Sequence, residues 1–443
     1  MLYSGKDLRK LIIPLLIEQV LAIAVGMADT IMVSAAGETA VSGVSLVDTV
    51  NILLINVFSA LATGGAVVAG HFLGKKKKEE ACRTAWQILL FATLLAILIS
   101  AVFLTAHDPL LHLIFGKTDE AVMRASKTYL IITAWSFPAL AAYNSCAALF
   151  RAMNSAKVTM WVSLLMNGIN LVGNAVCMFG LHMGVEGVAI PTTVSRYVAA
   201  AVIFAMMFCG EKEISLRGQA TVKFDGKLIK KILYIAVPNG LENSMFQLGK
   251  ILVISAVSTM GTAAIAANAV ANTLASWNNL PGMAVNLALV SVVSVCVGAG
   301  EYGQARYYTK KLCRAAVIGI SCISAVMFFA VPTLVTFYNL GPEAAKMSVD
   351  VIRFHTVMSM LIWVPSFTLP NTLRAAGDVV WPMSIAIVSM WLFRVVAAYV
   401  FTYVFHFGLL AVWAAMVIDW AVRAVFYVIR YRGHKWERFG QRS

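Results

Sequence analysis

The chain has 443 residues, of which 60% are hydrophobic and only 13% are charged. This composition excludes an ordinary soluble protein of this length, whose surface would need more charge, and it predicts an integral membrane protein. The formal net charge of +14 is compatible with nucleic-acid binding in principle, but the positions of the basic residues argue against that class.

The predicted fold is an all-α integral membrane protein with twelve transmembrane helices. A spanning helix needs roughly 20 apolar residues to cross roughly 30 Å of hydrocarbon, and twelve windows of the chain fit. In chain order, the predicted spans are 11–34, 44–73, 86–106, 126–150, 158–180, 185–209, 232–258, 264–297, 311–338, 346–373, 380–404 and 408–430.

The basic residues indicate how these spans are oriented, because Lys and Arg collect in cytoplasmic loops. With the N-terminus placed in the cytoplasm, most of the 35 Lys and Arg residues fall in inside segments, including the run Lys75–Lys78. We therefore predict a multi-pass protein of the plasma (bacterial inner) membrane with both termini cytoplasmic. The basic runs are expected to contact membrane lipids and not nucleic acid.

The two halves of the chain match at an offset of 224 residues, which pairs Pro14 with Pro238 and Glu18 with Glu242. Each half holds six predicted spans, so both halves have the same orientation and their pseudo-two-fold axis is expected to lie along the membrane normal. The predicted domains are an N-terminal lobe (1–210), a cytoplasmic linker (211–231) and a C-terminal lobe (232–443). One chain carries both lobes and is expected to function as a monomer.

Carboxylates inside predicted spans are candidate functional groups, because a charge at the centre of a membrane helix costs roughly 2.5–3.5 kcal/mol on insertion scales. Glu18 and Asp29 are eleven residues apart in the first span, which leaves them about 20° apart on one helical face. Glu242 occupies the position of Glu18 in the second half. The alternative for each acid is a structural one, in which a neighbouring Asn, Ser or Arg satisfies it. Lys250 has two interpretations, a pair with an acid of another helix or a side chain that reaches the membrane surface.

Asparagines form stripes along two predicted spans, and such stripes either hydrate a cavity or hold helices together. The fifth and eighth spans carry, respectively, Asn167, Asn170 and Asn174, and Asn268, Asn272, Asn279 and Asn286. Asp48 in the second span occupies the repeat position of Asn272.

Motifs for nucleotide or catalytic chemistry are missing from the sequence. GHFLGKKK (Gly70–Lys77) is one residue short of a Walker A loop and has Lys76 where Ser or Thr should follow the Lys. HExxH and Rossmann fingerprints do not occur. We therefore predict a protein that is not an enzyme, has no cofactor and is driven by an ion gradient.

Several stretches resemble the multidrug and toxic compound extrusion (MATE) transporters, and the resemblance covers essentially the whole chain. They are MADTIMVSAAGETAVSGVSL (Met27–Leu46), FLGKKKKEEA (Phe72–Ala81) and LRAAGDVVWPM (Leu373–Met383). The resemblance implies two six-helix lobes and efflux of organic cations or other amphipathic compounds, driven by inward protons or sodium ions. By position, Asp29 matches an acid of the family's N-lobe ion site. Asp378 matches an acid that one branch links to a C-lobe cation site.

Two positions depart from the family pattern. Asn170 and Asn174 stand where another branch has Asn followed four residues later by Asp, so the N-lobe site is one carboxylate short unless Glu18 supplies it. In the seventh span, Phe246 stands where an acid often follows the proline by eight residues, and Glu242 comes one turn earlier.

The predicted function is secondary active antiport, which exports amphipathic, cationic drugs or toxic organic compounds in exchange for inward protons or sodium ions. The predicted coupling-ion or substrate site consists of Asp29, Glu18, Glu242, Asn170, Asn174, Asp378 and Asn272, with the first three as candidate sodium ligands. One alternative is a flippase for lipid-linked sugars or lipids, which a cavity lined by many Arg residues would favour. Arg196 and Arg394 are the Arg residues that lie clearly within predicted spans. A passive channel or receptor is the third class, although no filter is evident.

Overall fold

A computed structural model describes residues 2–116, 119–210, 212–217 and 223–442, so the predicted linker 211–231 lies partly outside the described residues. The described residues are helical, with no strand among them, which confirms the predicted all-α class. The chain divides into two compact units, Tyr3–Gly240 and Leu241–Ser443, with Met1–Leu2 grouped with the second.

The N-terminal unit consists of eight helices and the first half of a ninth, which continues into the C-terminal unit. These helices are α1 (Gly5–Ser34), α2 (Glu38–Gly74), α3 (Lys78–Thr105), α4 (His107–Phe115), α5 (Glu120–Ala134), α6 (Phe137–Ala152), α7 (Ala156–Ala175), α8 (Glu186–Cys209) and α9 (Gly226–Ser258). A π-helical turn, Val176–Gly180, extends α7.

The C-terminal unit contains the second half of α9 and eight further helices. These are α10 (Thr262–Gly298), α11 (Tyr302–Thr336), α12 (Pro342–Met358), α13 (Leu369–Ala375), α14 (Val380–Ser389), α15 (Ala397–Tyr399), α16 (Leu409–Arg432) and α17 (Glu437–Arg442). Three π-helical segments join the shorter helices: Ser359–Thr368, Met390–Val396 and Val400–Val404. Pro365 lies inside the first of them, where its missing N–H and its ring disturb the α-helical ladder.

Ten of the twelve predicted spans appear in the described residues as helices long and apolar enough to cross a membrane. The predicted span 126–150 is divided into α5 and α6 at Trp135 and Ser136, because Pro138 lies in the first turn of α6. The predicted span 232–258 is one continuous helix, α9, of 33 residues. Its polar residues, among them Asn239 and Glu242, lower its mean hydropathy. Both regions are helical, and the protein is a multi-pass membrane protein.

The internal repeat extends to the bounds of individual helices. Helices α2 and α10 each have 37 residues, and their first residues, Glu38 and Thr262, are related by the predicted offset. Gly37 and Gly261 precede them with φ of +94° and +100°, a conformation that strongly favours glycine. His182 and His406 follow the two corresponding π-helical turns, and both have φ of +52°. The same local sequence pattern therefore produces the same chain reversals in both halves.

Small residues let the helices of each unit approach closely, as is common where helices associate in membranes. In the C-terminal unit, the backbone of α10 passes the ring of Trp363 at Gly282, and a Cβ atom there would come closer to the ring than van der Waals contact allows. Trp363 is buried and stacked on Phe367 with ring centroids 5.2 Å apart, so it has little room to move.

We expect Gly282→Ala to destabilise the protein by about 1–3 kcal/mol, the usual cost of overpacking a well-filled core. The measurement is thermal unfolding of the purified protein in detergent micelles. Gly168→Ala is the matched control, because Gly168 is also a helix-interior glycine and a Cβ atom added there would meet no described atom within 4 Å. Equal melting temperatures for the two variants would contradict the packing at Trp363.

Candidate functional site

Asp29 lies in the second half of α1, where it contacts the asparagines of α7. The side-chain amide of Asn174 donates to Asp29 Oδ1 at 2.8 Å. Asn174 is fully buried and Asn170 nearly so. The two asparagines are four residues apart on α7, so both point towards the same side of α1. The structure therefore brings together Asp29, Asn170 and Asn174, three of the predicted site residues.

Asn170 fits the site best with its amide nitrogen turned towards the carboxylate. In that orientation it donates to Asp29 Oδ1 at 2.9 Å and Oδ2 at 3.2 Å, while its oxygen accepts from the hydroxyl of Thr192 at 2.9 Å. Amide orientation is assigned from the hydrogen-bond network, and here the swap satisfies both ends of the side chain. Asp29 is then held by two neutral amides, and Thr192 on α8 completes the set.

Asp48 on α2 is a second carboxylate near this group, and it was not among the predicted site residues. Helix α2 packs against α1, the helix that carries Asp29. Asp48 accepts from the Asn51 amide and from the Tyr129 hydroxyl, both at 3.2 Å. The sequence did contain a signal for Asp48, because it is an acid at the repeat position of Asn272, which was a predicted site residue.

Glu18 is placed away from Asp29, in an ion pair. Eleven residues separate the two acids, which is about 16 Å along the helix axis. Arg151 Nη1 lies 3.3 Å from Glu18 Oε1, and the Thr159 hydroxyl donates to Oε2 at 2.9 Å. The acids share a face of α1, but the structure does not bring Glu18 to the asparagines of α7 that hold Asp29.

Glu242 makes the corresponding ion pair in the C-terminal unit. Arg374 Nη2 donates to both carboxylate oxygens of Glu242, at 2.6 and 2.7 Å, and Arg374 Nη1 donates to Asn371 at 2.9 Å. The repeat therefore preserves two partners and not the acid alone: Glu18 with Arg151 in one half, and Glu242 with Arg374 in the other. A shared ion pair favours a structural role for both acids.

Asp378 lies in the short connection between α13 and α14, where Arg430 of α16 pairs with it. Arg430 Nε donates to Oδ2 at 2.8 Å and Nη2 donates to Oδ1 at 3.2 Å. This two-point contact uses both oxygens of the buried carboxylate. The structure does not bring Asp378 together with Glu242, whose partner is Arg374.

Asn272 is exposed on α10, and its amide donates to the Asn268 carbonyl of its own helix at 2.8 Å. Asn268 in turn accepts from the Trp413 indole at 3.0 Å. Asn278, which was not among the predicted stripe residues, is fully buried and bonds to Ser324 and Ser359, each at 2.8 Å. Through these hydrogen bonds, part of the polar face of α10 holds neighbouring helices together.

Of the four carboxylates in the predicted site, Asp29 is the one without an Arg or Lys partner among the described residues. The described residues contain no group of three or more His, Cys, Asp or Glu side chains that could hold a metal ion. A lone carboxylate held by amides can gain and lose a proton, or bind a monovalent cation together with carbonyl and hydroxyl oxygens, without breaking an ion pair.

Comparisons with known proteins agree with this architecture. The sequence model of the MatE family matches residues 14–176 and 238–400, two stretches separated by the offset of the predicted repeat. An uncharacterized transporter of Bacillus subtilis, YisQ, is 28% identical over 96% of this chain and 94% of its own length. The probable multidrug resistance protein NorM of Thermotoga maritima is 24% identical over 98% and 93%.

The fold is also that of a solved transporter structure. A crystal structure of a MATE protein in complex with MaL6 superposes with a TM-score of 0.91 at 20% identity, covering 99% of this chain and 97% of the other. The family matches cover most of the chain and both of its units. The predicted resemblance is thus confirmed, and the chain belongs to the MatE family of multidrug and toxic compound extrusion transporters.

Proposed function

We propose that this protein is a secondary active antiporter that exports amphipathic organic cations in exchange for inward protons or sodium ions. It acts in the plasma membrane as a monomer with both termini in the cytoplasm. The observation that carries the proposal is the environment of Asp29. This carboxylate lies within a spanning helix, accepts hydrogen bonds from neutral amides and has no ion pair among the described residues.

Such a carboxylate suits a coupling site for a physical reason. Its charge is neutralised when a proton or sodium ion binds and returns when the ion leaves. Conformations that expose the site to different degrees therefore differ in how much their free energy changes on ion binding. Glu18, Glu242 and Asp378 are already neutralised by Arg. Binding a cation at any of them would have to break that pair.

Asp48 supports the same assignment by supplying a second carboxylate. The family pattern left the N-terminal site one acid short at Asn174, and Glu18 is occupied by Arg151 and Thr159. Asp48 lies on α2, which packs against α1, and it accepts from the Asn51 amide and the Tyr129 hydroxyl. We infer that Asp29 takes the coupling ion and that Asp48 adds negative potential that favours a cation there.

The test is transport by the purified protein in proteoliposomes loaded with ethidium, an amphipathic cation. Proton and sodium gradients are imposed separately, and ethidium movement is followed by its fluorescence. We expect movement against the ion flux under one of the two gradients and none with both gradients collapsed. Ethidium leakage at the same rate with and without gradients would refute antiport and support a passive channel.

A further inference from the structure

Three cationic side chains of the C-terminal unit surround a single aromatic ring. The Lys250 ammonium lies 5.1 Å from the centroid of Phe246, and the guanidinium carbons of Arg394 and Arg423 lie 5.2 and 5.7 Å from it. They come from three segments: α9, the π-helical segment Met390–Val396 and α16. We refer to Lys250, Arg394 and Arg423 as the cationic cluster.

The cluster has more positive charge than its surroundings neutralise. Asp419 is its one carboxylate partner among the described residues, and it bonds to Arg423 Nε at 2.7 Å. Arg394 is 6% exposed, and the one hydrogen bond that its side chain makes within the described part of the chain goes to the sulfur of Met390, at 3.5 Å. Lys250 has no ion pair with a described residue. One carboxylate therefore faces three cations.

Two buried polar atoms, one on Arg423 of the cluster and one on its partner Asp419, also lack hydrogen bonds in the part of the chain that the structure describes. Arg423 is 3% exposed, and its Nη2 makes no hydrogen bond there; Asp419 is fully buried, and its Oδ2 makes none. Ser389 and Arg423 both use the other oxygen, Oδ1. A buried guanidinium nitrogen without an acceptor is costly, and an anion beside it would remove that cost.

Other buried Arg residues of the same unit show how this fold treats a structural cation. Arg374 and Arg430 each donate twice to a carboxylate, Glu242 and Asp378 respectively. The cationic cluster instead faces Phe246, at the position where the family resemblance led us to expect an acid. The ring faces attract cations, but they provide no acceptor for the guanidinium N–H groups.

Lys250 makes the cluster reachable, because its side chain is exposed while Phe246 is half-buried. The Lys250 ammonium lies over Phe246, which is one turn closer to the N-terminus of α9. The end of α9 that is nearer to Lys250 is the C-terminus, at Ser258. The side chain thus points along α9 away from its nearer end, unlike a lysine that extends towards the membrane surface.

We propose that the cationic cluster binds an anionic group, a carboxylate or a phosphate, of the transported compound. This inference rests on the proposed transport function and adds, within its substrate class, a preference for amphipathic cations that also carry an anionic group. Arg423 Nη2 and the Arg394 guanidinium supply directional donors, Lys250 supplies a point charge, and Phe246 offers an apolar face to the body of the compound.

The test compares two dyes that differ in one charge: rhodamine B, a zwitterion with a free carboxylate, and its ethyl ester, a cation with that carboxylate blocked. Binding to the purified full-length protein is measured by fluorescence polarisation without any ion gradient. We expect tighter binding of rhodamine B, and Arg394→Gln and Lys250→Gln should each weaken it about tenfold while leaving the ester unchanged. Lys250→Arg should keep the preference for rhodamine B over its ester. Lys346→Gln, the same charge change at an exposed residue on α12, is the control.

Equal binding of the two dyes by the unmodified protein, or equal loss of both dyes in the cluster variants, would overturn the proposal. If Arg394→Gln fails to fold, Lys250→Gln decides the question, because the Lys250 side chain is exposed.

Competition by benzoate or inorganic phosphate would assign the anionic group to a free compound. Competition by phosphatidylglycerol alone, added in nanodiscs, would assign it to a lipid headgroup. Carboxylate-dependent binding without gradient-driven transport would support the anion-binding site at the cationic cluster and refute the proposed antiport.

Discussion

Asp29→Asn is expected to slow ion-driven ethidium efflux strongly while the protein still folds and inserts. Asn has nearly the same size and can still bond to Asn174, but its amide cannot take up a proton or neutralise a sodium ion. The difference in free energy that ion binding creates between conformations is thereby lost. Coupling free energies of about 1–3 kcal/mol are typical, so we expect the gradient-driven rate to fall about 5- to 150-fold. The measurement is the initial rate of efflux from proteoliposomes under the gradient that drives the unmodified protein.

Two further variants sharpen that result. Asp108→Asn makes the same chemical change at an exposed residue of α4, where Asp108 pairs with Lys127, and should transport normally. Asp48→Asn removes the second negative charge near Asp29 and should weaken the affinity for the coupling ion with a smaller loss of the maximal rate. Full ion-driven efflux by Asp29→Asn would place the coupling site elsewhere in the chain.

Glu242→Gln is expected to destabilise the protein by about 3 kcal/mol. Removing one partner of a buried ion pair leaves an uncompensated charge, which typically costs about 3–5 kcal/mol. The lower end applies because the two side chains keep 14% and 13% of their surface exposed. Arg374→Gln should be similarly destabilising, whereas the double variant should recover much of the loss, because no unpaired charge remains. The measurement is a double-mutant cycle on unfolding in detergent micelles.

Glu18→Gln is the comparison that the repeat provides. Arg151 reaches Glu18 with one nitrogen at 3.3 Å, and Thr159 can still donate to a glutamine oxygen, so the loss of stability should be smaller than for Glu242→Gln. A Glu242→Gln variant that keeps its stability but loses ion-driven efflux would contradict the structural role and make Glu242 a coupling residue.

Much of the fold could be predicted from the sequence, because membrane helices are encoded locally. Within the hydrocarbon every backbone group must bond inside its own helix, so a long apolar window is sufficient to predict a span. The division of the span 126–150 was not predicted as such, although Pro138 marks its position. The π-helical segments of the C-terminal unit were not predicted either, since they depend on how neighbouring helices satisfy freed backbone groups.

The site was predicted less completely than the fold. The family position of Asp29 and the three-four spacing on α7 led to Asp29, Asn170 and Asn174, which the structure brings together. The same helical geometry aligned Glu18 with Asp29 but gave no information about Arg151 and Thr159, which lie more than 130 residues away in sequence. Asp48 was missed for a related reason, because its position on α2 becomes meaningful only when α2 lies beside α1.

The sequence by itself determined the class of protein, the apolar helices, the repeat and the candidate charged residues. Hydropathy, helical periodicity and internal similarity are properties of short stretches or of direct alignment. The tertiary structure decided how each of those charges is compensated. Glu18, Glu242 and Asp378 each have an Arg partner, Asp29 accepts from amides without a counter-charge, and the cationic cluster has one carboxylate for three cations. The physical reason is that the compensation of a buried charge depends on the groups within a few ångströms of it, and those groups come from helices that only folding brings together.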